Sequence, residues 1–281
     1  MERPLISLCA SANRIEYWMR LYNSLKGNTI SWEIIFVGDR KPNFELPSNF
    51  KYIYATVKPA QCYQIAFWAA QGELIAWTAD DADYNEPSLN CPNCLDIAYE
   101  AWKRLDDRFN NDKKSVLSFR PIEDGGDVWK FHHYYGGVEN TPTMAPFALI
   151  HRDYFVNKLS GYDRRFVSGQ SENDVIMRVY EDGGRVEVCL DAKLYVHHRQ
   201  VHPRDPRTGR EDNKFRKWYN KDREILENCW TIGGYGFYEK LKREDVGKQV
   251  QISKTRLLPF ESFENTLDVY TITQGEKGHW L

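Results

Sequence analysis

The chain contains 281 residues, and its 38 Lys and Arg residues against 40 Asp and Glu residues give a formal charge of -2. This length is sufficient for one large domain with a substantial core, and the balanced charge argues against nucleic acid or an acidic membrane surface as a partner. No apolar run approaches the roughly 20 residues of a membrane-spanning helix, and charged residues and a proline interrupt the amino terminus too early for a signal peptide. We therefore expect a cytoplasmic protein with no transmembrane segment.

The first part of the chain alternates between short apolar runs and segments with helical spacing. The apolar runs predict strands over 5–9, 33–37, 52–55 and 74–78. Two helices are predicted between them, over 15–25 and 59–70. Pro59 lies near the first turn of the second helix and Gly72 lies just past its end, which are usual positions for these residues. Strands that alternate with helices predict an α/β fold with a parallel sheet covered on both faces.

The second part of the chain is less regular. Strands are predicted over 116–119, 147–150, 186–189 and 194–197. Helices are predicted over 94–109, 153–159, 172–181 and 214–228. Cys91 and Cys94 are the only close pair among the six cysteines, and no second pair completes a zinc site. We therefore expect neither a disulfide framework nor a structural zinc ion.

Three carboxylates, Asp80, Asp81 and Asp83, follow the fourth predicted strand within four positions. Crowded carboxylates repel one another unless a cation is bound, and the carboxyl end of a parallel strand is where open α/β sheets bind ligands. Hard oxygen ligands suit Mg²⁺ or Mn²⁺, and such an ion can bridge the two phosphates of a nucleotide sugar. The alternative is a solvated acidic turn in which Asp80 or Asp83 caps the next element.

The segment from Gly72 to Asp83 resembles the aspartate motif of glycosyltransferases with the GT-A fold, in particular the inverting glycosyltransferase family 2. The strand at 5–9 with the loop at 10–14, and the strand that leads to Asp39, resemble the opening strands of that family. The resemblance implies a GT-A fold, a mostly parallel central sheet with helices on both faces. It also implies a metal-dependent transferase that takes a nucleotide diphosphate sugar, with UDP-sugars favoured, and inverts the anomeric centre.

The resemblance assigns donor-binding roles to residues at three strand ends. Ala10 and Arg14 belong to the nucleotide loop, and Asp80 and Asp81 to the nucleotide-sugar site. Asp39 takes the position of the carboxylate that accepts a hydrogen bond from the uracil imide, and a carboxylate suits this role because it only accepts. An ordinary turn aspartate is the alternative for Asp39.

The resemblance also implies a site for Mn²⁺ or Mg²⁺. Counted from Gly72, Asp81 matches the metal-binding last aspartate of the family motif, whereas Ala79 stands where the first aspartate usually is. Asp83 is a supporting ligand, and His197 at the end of a late strand is a further one, since a neutral imidazole can complete the coordination of Mn²⁺. A hydrogen-bonded or exposed histidine is the alternative for His197.

A second stretch of resemblance runs from Leu159 to Phe166 and from Ser171 to Arg178, and it corresponds to the acceptor side of the family. It assigns the general base to Glu172, which would remove the proton from an acceptor hydroxyl. Asp174 is the second candidate catalytic carboxylate. Alternatively, Asp174 forms a capping box with Ser171 as the N-cap.

The resemblance divides the chain into a catalytic domain at 1–212, with a nucleotide-binding half at 1–90 and an acceptor-binding half at 91–212, and a C-terminal helical extension at 213–281. The acceptor would be a hydroxyl of a glycan, a lipid-linked molecule or a protein. The basic segment at 199–210 could close over the diphosphate or could be a solvated loop. The aromatic cluster at 129–135 could hold a sugar ring or serve packing.

Two other functions fit parts of the pattern. A sugar nucleotidyltransferase shares the sheet and an acidic metal site, but it usually opens with a glycine-rich loop, and 10–14 contains no glycine. A non-catalytic protein that binds a nucleotide sugar or a glycan is the other alternative, because the first aspartate of the motif is missing. A dinucleotide-dependent oxidoreductase is disfavoured, since no GxGxxG sequence follows the first strand.

Overall fold

The computed structural model describes residues 3–123, 126–128, 133, 142–197, 216–231 and 255–262. The predicted basic loop at 199–210 lies outside the described residues. So does the aromatic cluster at 129–135 apart from His133.

The described strands and helices follow the predicted order closely. The strands are β1 (Ile6–Ser11), β2 (Trp32–Gly38), β3 (Phe50–Tyr54), β4 (Leu74–Trp77), β5 (Ala82–Asp83), β6 (Ser115–Glu123), β7 (Gly126–Asp127), β8 (Ala148–His151), β9 (Arg185–Val196), β10 (Trp230–Thr231) and β11 (Thr255–Arg256). The helices are α1 (Ile15–Ser24), α2 (Pro59–Ala69), α3 (Cys94–Asp107), α4 (Ser171–Glu181) and α5 (Arg216–Cys229). Two shorter helical segments are a 3₁₀ turn at Pro87–Leu89 and a π-helix at Asp153–Lys158.

One sheet forms the centre of the described structure. Its strands lie in the order β3-β2-β1-β4-β8-β6-β9-β5, and β7 pairs with the outer part of β6. The ladders of β3 with β2, β2 with β1, β1 with β4, and β6 with β9 are parallel, whereas β8 is antiparallel to both of its neighbours. The expected α/β fold with a mostly parallel sheet is therefore confirmed.

Helices cover both faces of the sheet. Successive side chains of a strand point to opposite faces, so that each central strand contributes to an apolar cluster on either side. On one face, Cys9 of β1 belongs to the same apolar cluster as Phe67 of α2. On the other face, Leu8 of β1 belongs to the cluster that contains Trp18 of α1 and Leu95 of α3. This two-sided burial explains why the central strands read as continuous apolar runs.

The structure differs from the sequence prediction at the late strands. The strands expected at 186–189 and 194–197 are one strand, β9, whose pairing with β6 shifts register between Phe119 and Arg120. Two of the β9 residues opposite this irregularity, Leu190 and Asp191, are exposed, whereas Ala192 is buried. Asp191 and Lys193 interrupt the apolar pattern there, and the pattern therefore suggested two separate strands.

Within the residues that the structure describes, no helix has the length and apolar character needed to cross a membrane.

Candidate active site

The carboxyl ends of β1, β2 and β4 meet at one edge of the sheet, since these strands are parallel neighbours. The loop after β1 and the end of β2 approach closely, and the backbone N–H of Ala12 donates to the carbonyl oxygen of Val37 at 2.8 Å. A Cβ added to Gly38 would lie 1.8 Å from the carbonyl oxygen of Ala12. Glycine at position 38 thus permits the approach of the two loops that carry the predicted donor-binding residues.

Arg14 and the acidic pair after β4 form a buried ionic cluster at this edge. The Asp80 carboxylate accepts hydrogen bonds from the backbone N–H groups of Asn13 and Arg14, both at 2.8 Å, and from Arg14 Nε at 2.5 Å. Arg14 Nη1 donates to Asp81 at 2.6 Å. Burial by itself would lower the pKa of the guanidinium, but the charges of Asp80 and Asp81 outweigh it and raise that pKa. Arg14 therefore pairs with both carboxylates, which lie fully buried beside it, and its one positive charge stands against their two negative charges.

A second group of side chains that can bind a metal ion combines two residues just after the acidic pair with a histidine at the end of β9. One ligand atom each from Asp83, Glu86 and His197 come within 4.8 Å of one another, so that this group could hold a metal ion. Arg20 donates to Asp83 at 2.9 Å and to Glu86 at 3.0 Å. Of the three predicted metal ligands, Asp83 and His197 thus lie together, whereas Asp81 is not a member of the group.

His197 is suited to a ligand role by its surroundings. It is buried between the rings of Tyr17 and Tyr195, and among the described residues its Nε2 atom has no hydrogen-bond partner. Burial and the nearby charge of Arg20 lower its pKa, which favours the neutral imidazole that coordinates metals. Its backbone N–H donates to the carbonyl oxygen of Asp81 at 3.3 Å, which joins the end of β9 to the acidic segment. Two carboxylates and an imidazole fit Mn²⁺ or Mg²⁺.

Glu172 and the acidic segment face a common element, the side chain of Tyr63 on α2. The Tyr63 hydroxyl donates to the carbonyl oxygen of Thr78, just before Asp80. Burial raises the pKa of this phenol, and the negative charges of Asp80 and Glu172 raise it further. The ring of Tyr63 also lies 5.9 Å from that of Tyr162, so that this residue contacts both the acidic segment and the segment that leads to Glu172.

The ionisation of Glu172 differs from the expectation for the first turn of a helix. Burial raises its pKa above the ordinary value, and hydrogen bonds from backbone N–H groups and the Ser171 hydroxyl offset this only in part. The helix terminus does favour a carboxylate. At this position the loss of solvent is the larger effect, because the residue is half-buried.

Asp174 belongs to a buried network, and the alternative of a capping box with Ser171 as the N-cap does not form. The N-cap of α4 is Gln170, with φ of 64°, and Ser171 lies inside the helix. The Asp174 carboxylate accepts from Arg178 Nε at 2.8 Å and from Trp230 Nε1 at 2.8 Å. Both of its oxygens are engaged in the core, so these contacts favour a structural role for this residue.

The turn before α4 is held by Gln64 of α2. The Gln64 side chain accepts from the backbone N–H of Tyr162 at 2.9 Å and donates to the carbonyl oxygen of Ser160 at 3.3 Å. Gly161 has a φ of +69°, and a Cβ added there would lie 2.2 Å from the Gln64 side chain. Gln64 and Gly161 together fix the start of the acceptor-side segment.

Asp39 and Ala10 lie at the same edge with fewer contacts. Asp39 is half-buried directly after β2, and within the described residues no hydrogen bond to its side chain is found. Ala10 is fully buried within β1. Next to Asp39, Arg40 donates to the carbonyl oxygen of Asn13 at 3.0 Å and lines a cleft of about 660 Å³ together with Glu16 of α1.

The C-terminal part of the chain supports the loop that leads to Glu172. The buried carboxylate of Asp222 in α5 accepts three backbone hydrogen bonds, from Val167 at 3.0 Å, Ser168 at 2.6 Å and Gly169 at 2.8 Å. Burial raises the pKa of Asp222 to about 6. Sequence reasoning found no role for this region, because its partners lie more than 50 positions earlier in the chain.

Four residues of the site were not predicted: Arg20, Tyr63, Gln64 and Glu86. Arg20, Tyr63 and Gln64 lie within predicted helices, and no local pattern singles them out. Glu86 lies three positions after Asp83, and its closeness to the acidic segment is a signal that the sequence carries.

Solved structures with this fold include those of S. aureus TarS. TarS residues 1–349 in complex with UDP match with a TM-score of 0.51 and 18% identity, over 85% of this chain and 76% of that chain. The complex with UDP-GlcNAc matches with a TM-score of 0.52 and 16% identity, over 79% and 65%. A further structure of TarS 1–349 matches with a TM-score of 0.50 and 16% identity, over 68% and 60%. In two of these three comparisons, the chain spans less than two thirds of the TarS chain.

No family model and no curated protein matches the sequence. The structural neighbours are GT-A-type glycosyltransferases, and the chain therefore has the GT-A fold that its sequence resembled. At this level of identity the likeness concerns the fold, and function has to be argued from the site.

Proposed function

We propose that the chain is a glycosyltransferase that moves a sugar from a nucleotide diphosphate sugar, UDP-linked in the favoured case, to an acceptor hydroxyl. One observation carries the proposal. Two neighbouring residues of α2 join the two sides of the site at the ligand-binding edge of a GT-A sheet: the Tyr63 hydroxyl donates to the carbonyl oxygen of Thr78 before the acidic segment, and Gln64 accepts from the backbone N–H of Tyr162 in the segment that leads to Glu172. A transferase needs a group for the diphosphate and a base for the acceptor near each other.

The donor side consists of the residues at the ends of β1, β2 and β4. We assign Asp39 to the base of the nucleotide, as an acceptor for an imide N–H. The loop that contains Arg14, together with Asp80 and Asp81, is assigned to the diphosphate. Ala10 precedes this loop in β1 and is fully buried.

The metal site is assigned to Asp83, Glu86 and His197, and Asp81, the other predicted ligand, would join it only on leaving its ion pair with Arg14. A divalent cation bound there, Mn²⁺ or Mg²⁺, supplies charge stabilisation to the leaving diphosphate. The buried Nε2 atom of His197 and the nearby carboxylates of Asp83 and Glu86 support this assignment.

The acceptor side is assigned to Glu172 as the general base. The acceptor oxygen attacks the anomeric carbon, the bond from that carbon to the diphosphate oxygen breaks, and the acceptor proton moves to the Glu172 carboxylate. A raised pKa makes this carboxylate a stronger base than an exposed glutamate. Attack from the side opposite the leaving group inverts the anomeric centre. Asp174 is assigned to the support of α4, because both of its oxygens are held by core partners.

The domain organisation follows from these assignments. Residues 1–212 form the catalytic domain, with a donor half at 1–90 and an acceptor half at 91–212. The extension at 213–281 supports the acceptor half, since Asp222 holds the loop before α4 and Glu261 pairs with Arg164 at 3.1 Å. The acceptor is a hydroxyl of a glycan, a lipid-linked molecule or a protein.

The alternative is a protein that binds a nucleotide sugar without transferring it. The buried pairing of Arg14 with Asp80 and Asp81 favours this alternative, because a guanidinium group already balances the charge that a metal ion would balance. Sugar transfer to an acceptor decides between the two functions.

Binding of nucleotides tests the proposal first. We compare the binding of UDP, GDP and other nucleoside diphosphates to the wild type and to Asp81→Asn. Binding is measured by thermal shift and calorimetry, with and without Mn²⁺. Asp153→Asn is the matched control, because that side chain is 63% exposed and lies outside the site. We expect metal-dependent binding of one nucleotide that Asp81→Asn loses and Asp153→Asn retains. Failure of every nucleotide to bind under all metal conditions contradicts the proposal.

A further inference from the structure

A cavity of about 530 Å³ opens at the edge of the sheet opposite the candidate active site, where β1 and β2 begin. Its wall includes Trp32 at the start of β2 and Gln71 after the end of α2. Since β1 is six residues long, roughly 17 Å separate this edge from the carboxyl edge. A molecule in this cavity is therefore not the donor of the candidate active site.

The cavity carries an excess of positive charge. Arg3, Lys51 and Arg152 line it from three different parts of the chain, and Glu33 is the one carboxylate among its lining residues. Glu33 is buried and satisfied by the protein, since it accepts from Ser7 at 2.7 Å, from the backbone N–H of Gln71 at 2.8 Å and from Lys51 at 2.8 Å. The cavity is thus lined by three cationic side chains and by one carboxylate that already has protein partners. Its formal charge is an excess of two positive charges.

Two of the cations are oriented by the end of α2. Arg3 Nε donates to the carbonyl oxygen of Gln71 at 2.7 Å, and Arg152 Nε donates to the carbonyl oxygen of Ala70 at 2.8 Å. These bonds cap the helix, but each uses only the Nε atom of its guanidinium group. Arg152 Nη1 lies 3.5 Å from Asp153, and among the described residues no carboxylate pairs with Arg3. Terminal N–H groups of two neighbouring, pre-positioned guanidinium groups thus remain for a ligand.

The size and chemistry of the cavity indicate its ligand. Small-molecule sites typically measure about 300 to 1,000 Å³, and this cavity falls within that range. Two guanidinium groups and an ammonium group match a dianion with several acceptor oxygens, which is a phosphate group rather than a single carboxylate. Trp32 and Pro4 add an apolar wall for the organic part of the molecule.

We infer that this cavity is a second binding site of the protein, and that it takes a small phosphate ester. The site is independent of the proposed transferase activity. It draws on none of the residues assigned to the donor, the metal or the base.

Calorimetric titration with glycerol 3-phosphate tests the inference, with glycerol and succinate as comparators. We expect the phosphate ester to bind, glycerol not to bind, and succinate to bind more weakly. Arg152→Gln and Arg3→Gln should each weaken the binding of the phosphate ester by roughly tenfold or more, since each removes a charge-assisted contact. Arg3 is exposed near the amino terminus, so that its replacement leaves the fold intact even if Arg152→Gln does not.

Two control variants separate this site from other sources of binding. Arg108→Gln removes an exposed arginine far from the cavity and should leave the affinity unchanged. Asp81→Asn alters the candidate active site and should also leave it unchanged, whatever that variant does to nucleotide binding. The inference is overturned if the wild type does not bind the phosphate ester, if succinate binds equally well, if Arg3→Gln binds like the wild type, or if Asp81→Asn abolishes binding.

Discussion

The indole nitrogen of Trp230 donates a 2.8 Å hydrogen bond to the carboxylate of Asp174, which lies 56 positions earlier in the chain. Both side chains are buried. The bond joins the strand after α5 to the first turn of α4, the turn that also carries Glu172. The C-terminal region is thus part of the support of the candidate base.

Replacement of Trp230 by Phe removes this donor while it keeps an aromatic ring. We expect a loss of about 1–3 kcal/mol in the free energy of unfolding, because a buried carboxylate oxygen loses its partner. Trp18→Phe is the matched control, since Trp18 is equally buried and among the described residues its Nε1 atom has no partner. Urea unfolding of both variants measures the difference, and an equal loss in the two would mean that the hydrogen bond adds no stability.

Replacement of Arg14 by Gln leaves the buried carboxylates of Asp80 and Asp81 without their balancing cation. A broken buried ion pair costs about 3–5 kcal/mol, so the variant should unfold at much lower urea concentration than the wild type. Addition of Mn²⁺ should recover more stability in this variant than in the wild type, because the metal replaces the missing positive charge. Arg108→Gln removes an exposed ion pair instead and should cost at most about 1 kcal/mol. An Arg14→Gln variant as stable as the control, with no response to Mn²⁺, argues against a cation site at this position.

Replacement of Glu172 by Gln keeps the size of the side chain and removes its basicity. Transfer of sugar from the nucleotide diphosphate sugar that the protein is found to bind, followed as release of the nucleoside diphosphate over a panel of acceptors, should fall by about 10²- to 10⁴-fold with nucleotide binding retained. In the wild type the rate should decline as the pH falls through the raised pKa of Glu172, since the base must be deprotonated. Glu181→Gln, at the other end of α4, should retain the wild-type rate. Full activity of Glu172→Gln assigns the base to another residue.

The buried carboxylate of Asp222 makes stability depend on pH. Its pKa is about 6 in the folded protein, above the ordinary value, so the folded state binds its proton more tightly than the unfolded chain does. The stability that this proton contributes is present below about pH 4 and is lost as the pH rises through about 6. Asp222→Asn should remove this part of the change of the free energy of unfolding with pH, whatever the absolute stability of the variant. Urea midpoints across this interval measure it. Glu172 nearby also has a raised pKa and contributes to the same pH dependence, whereas the pKa of Lys58, lowered to about 8, lies above the interval. A slope identical to that of the wild type contradicts the assignment.

Replacement of Gly161 by Ala tests the turn before α4. This glycine has a φ of +69°, and the new Cβ would lie 2.2 Å from the Gln64 side chain. Gly183 has a φ of +77° with nothing within 4 Å of the added Cβ, so that Gly183→Ala carries only the backbone strain, about 1–2 kcal/mol. We expect Gly161→Ala to destabilise the protein by more than this control does. Equal losses in thermal unfolding would show that Gln64 moves aside without cost.

Much of the fold could be predicted from the sequence. The apolar runs in the first 80 residues give the strand and helix order correctly, and the ends of these elements agree to within about two residues. The late strand β9 was predicted as two strands, since its exposed middle residues break the apolar pattern. The short strands β5, β7, β10 and β11 have two residues each, and no periodicity can be read from so short a segment.

The sequence predicted many of the residues of the candidate site, but it did not predict which of their side chains pair with one another. The sequence indicated that Asp80, Asp81 and Asp83 follow a strand end, which is a local property of the chain. It did not indicate that Arg14 pairs with the first two, or that Glu86 and His197 gather with Asp83.

The sequence by itself determined the α/β class, the position of the acidic segment at a strand end and the start of the helix that carries Glu172. These follow from local periodicity, which the backbone geometry of strands and helices imposes on neighbouring residues. Only the tertiary structure decided that Asp174 faces the core and that Asp222 holds the loop before Glu172. Their partners lie more than 50 residues away in the chain, and a buried carboxylate takes whichever donors the packing of the sheet and helices brings within hydrogen-bond distance.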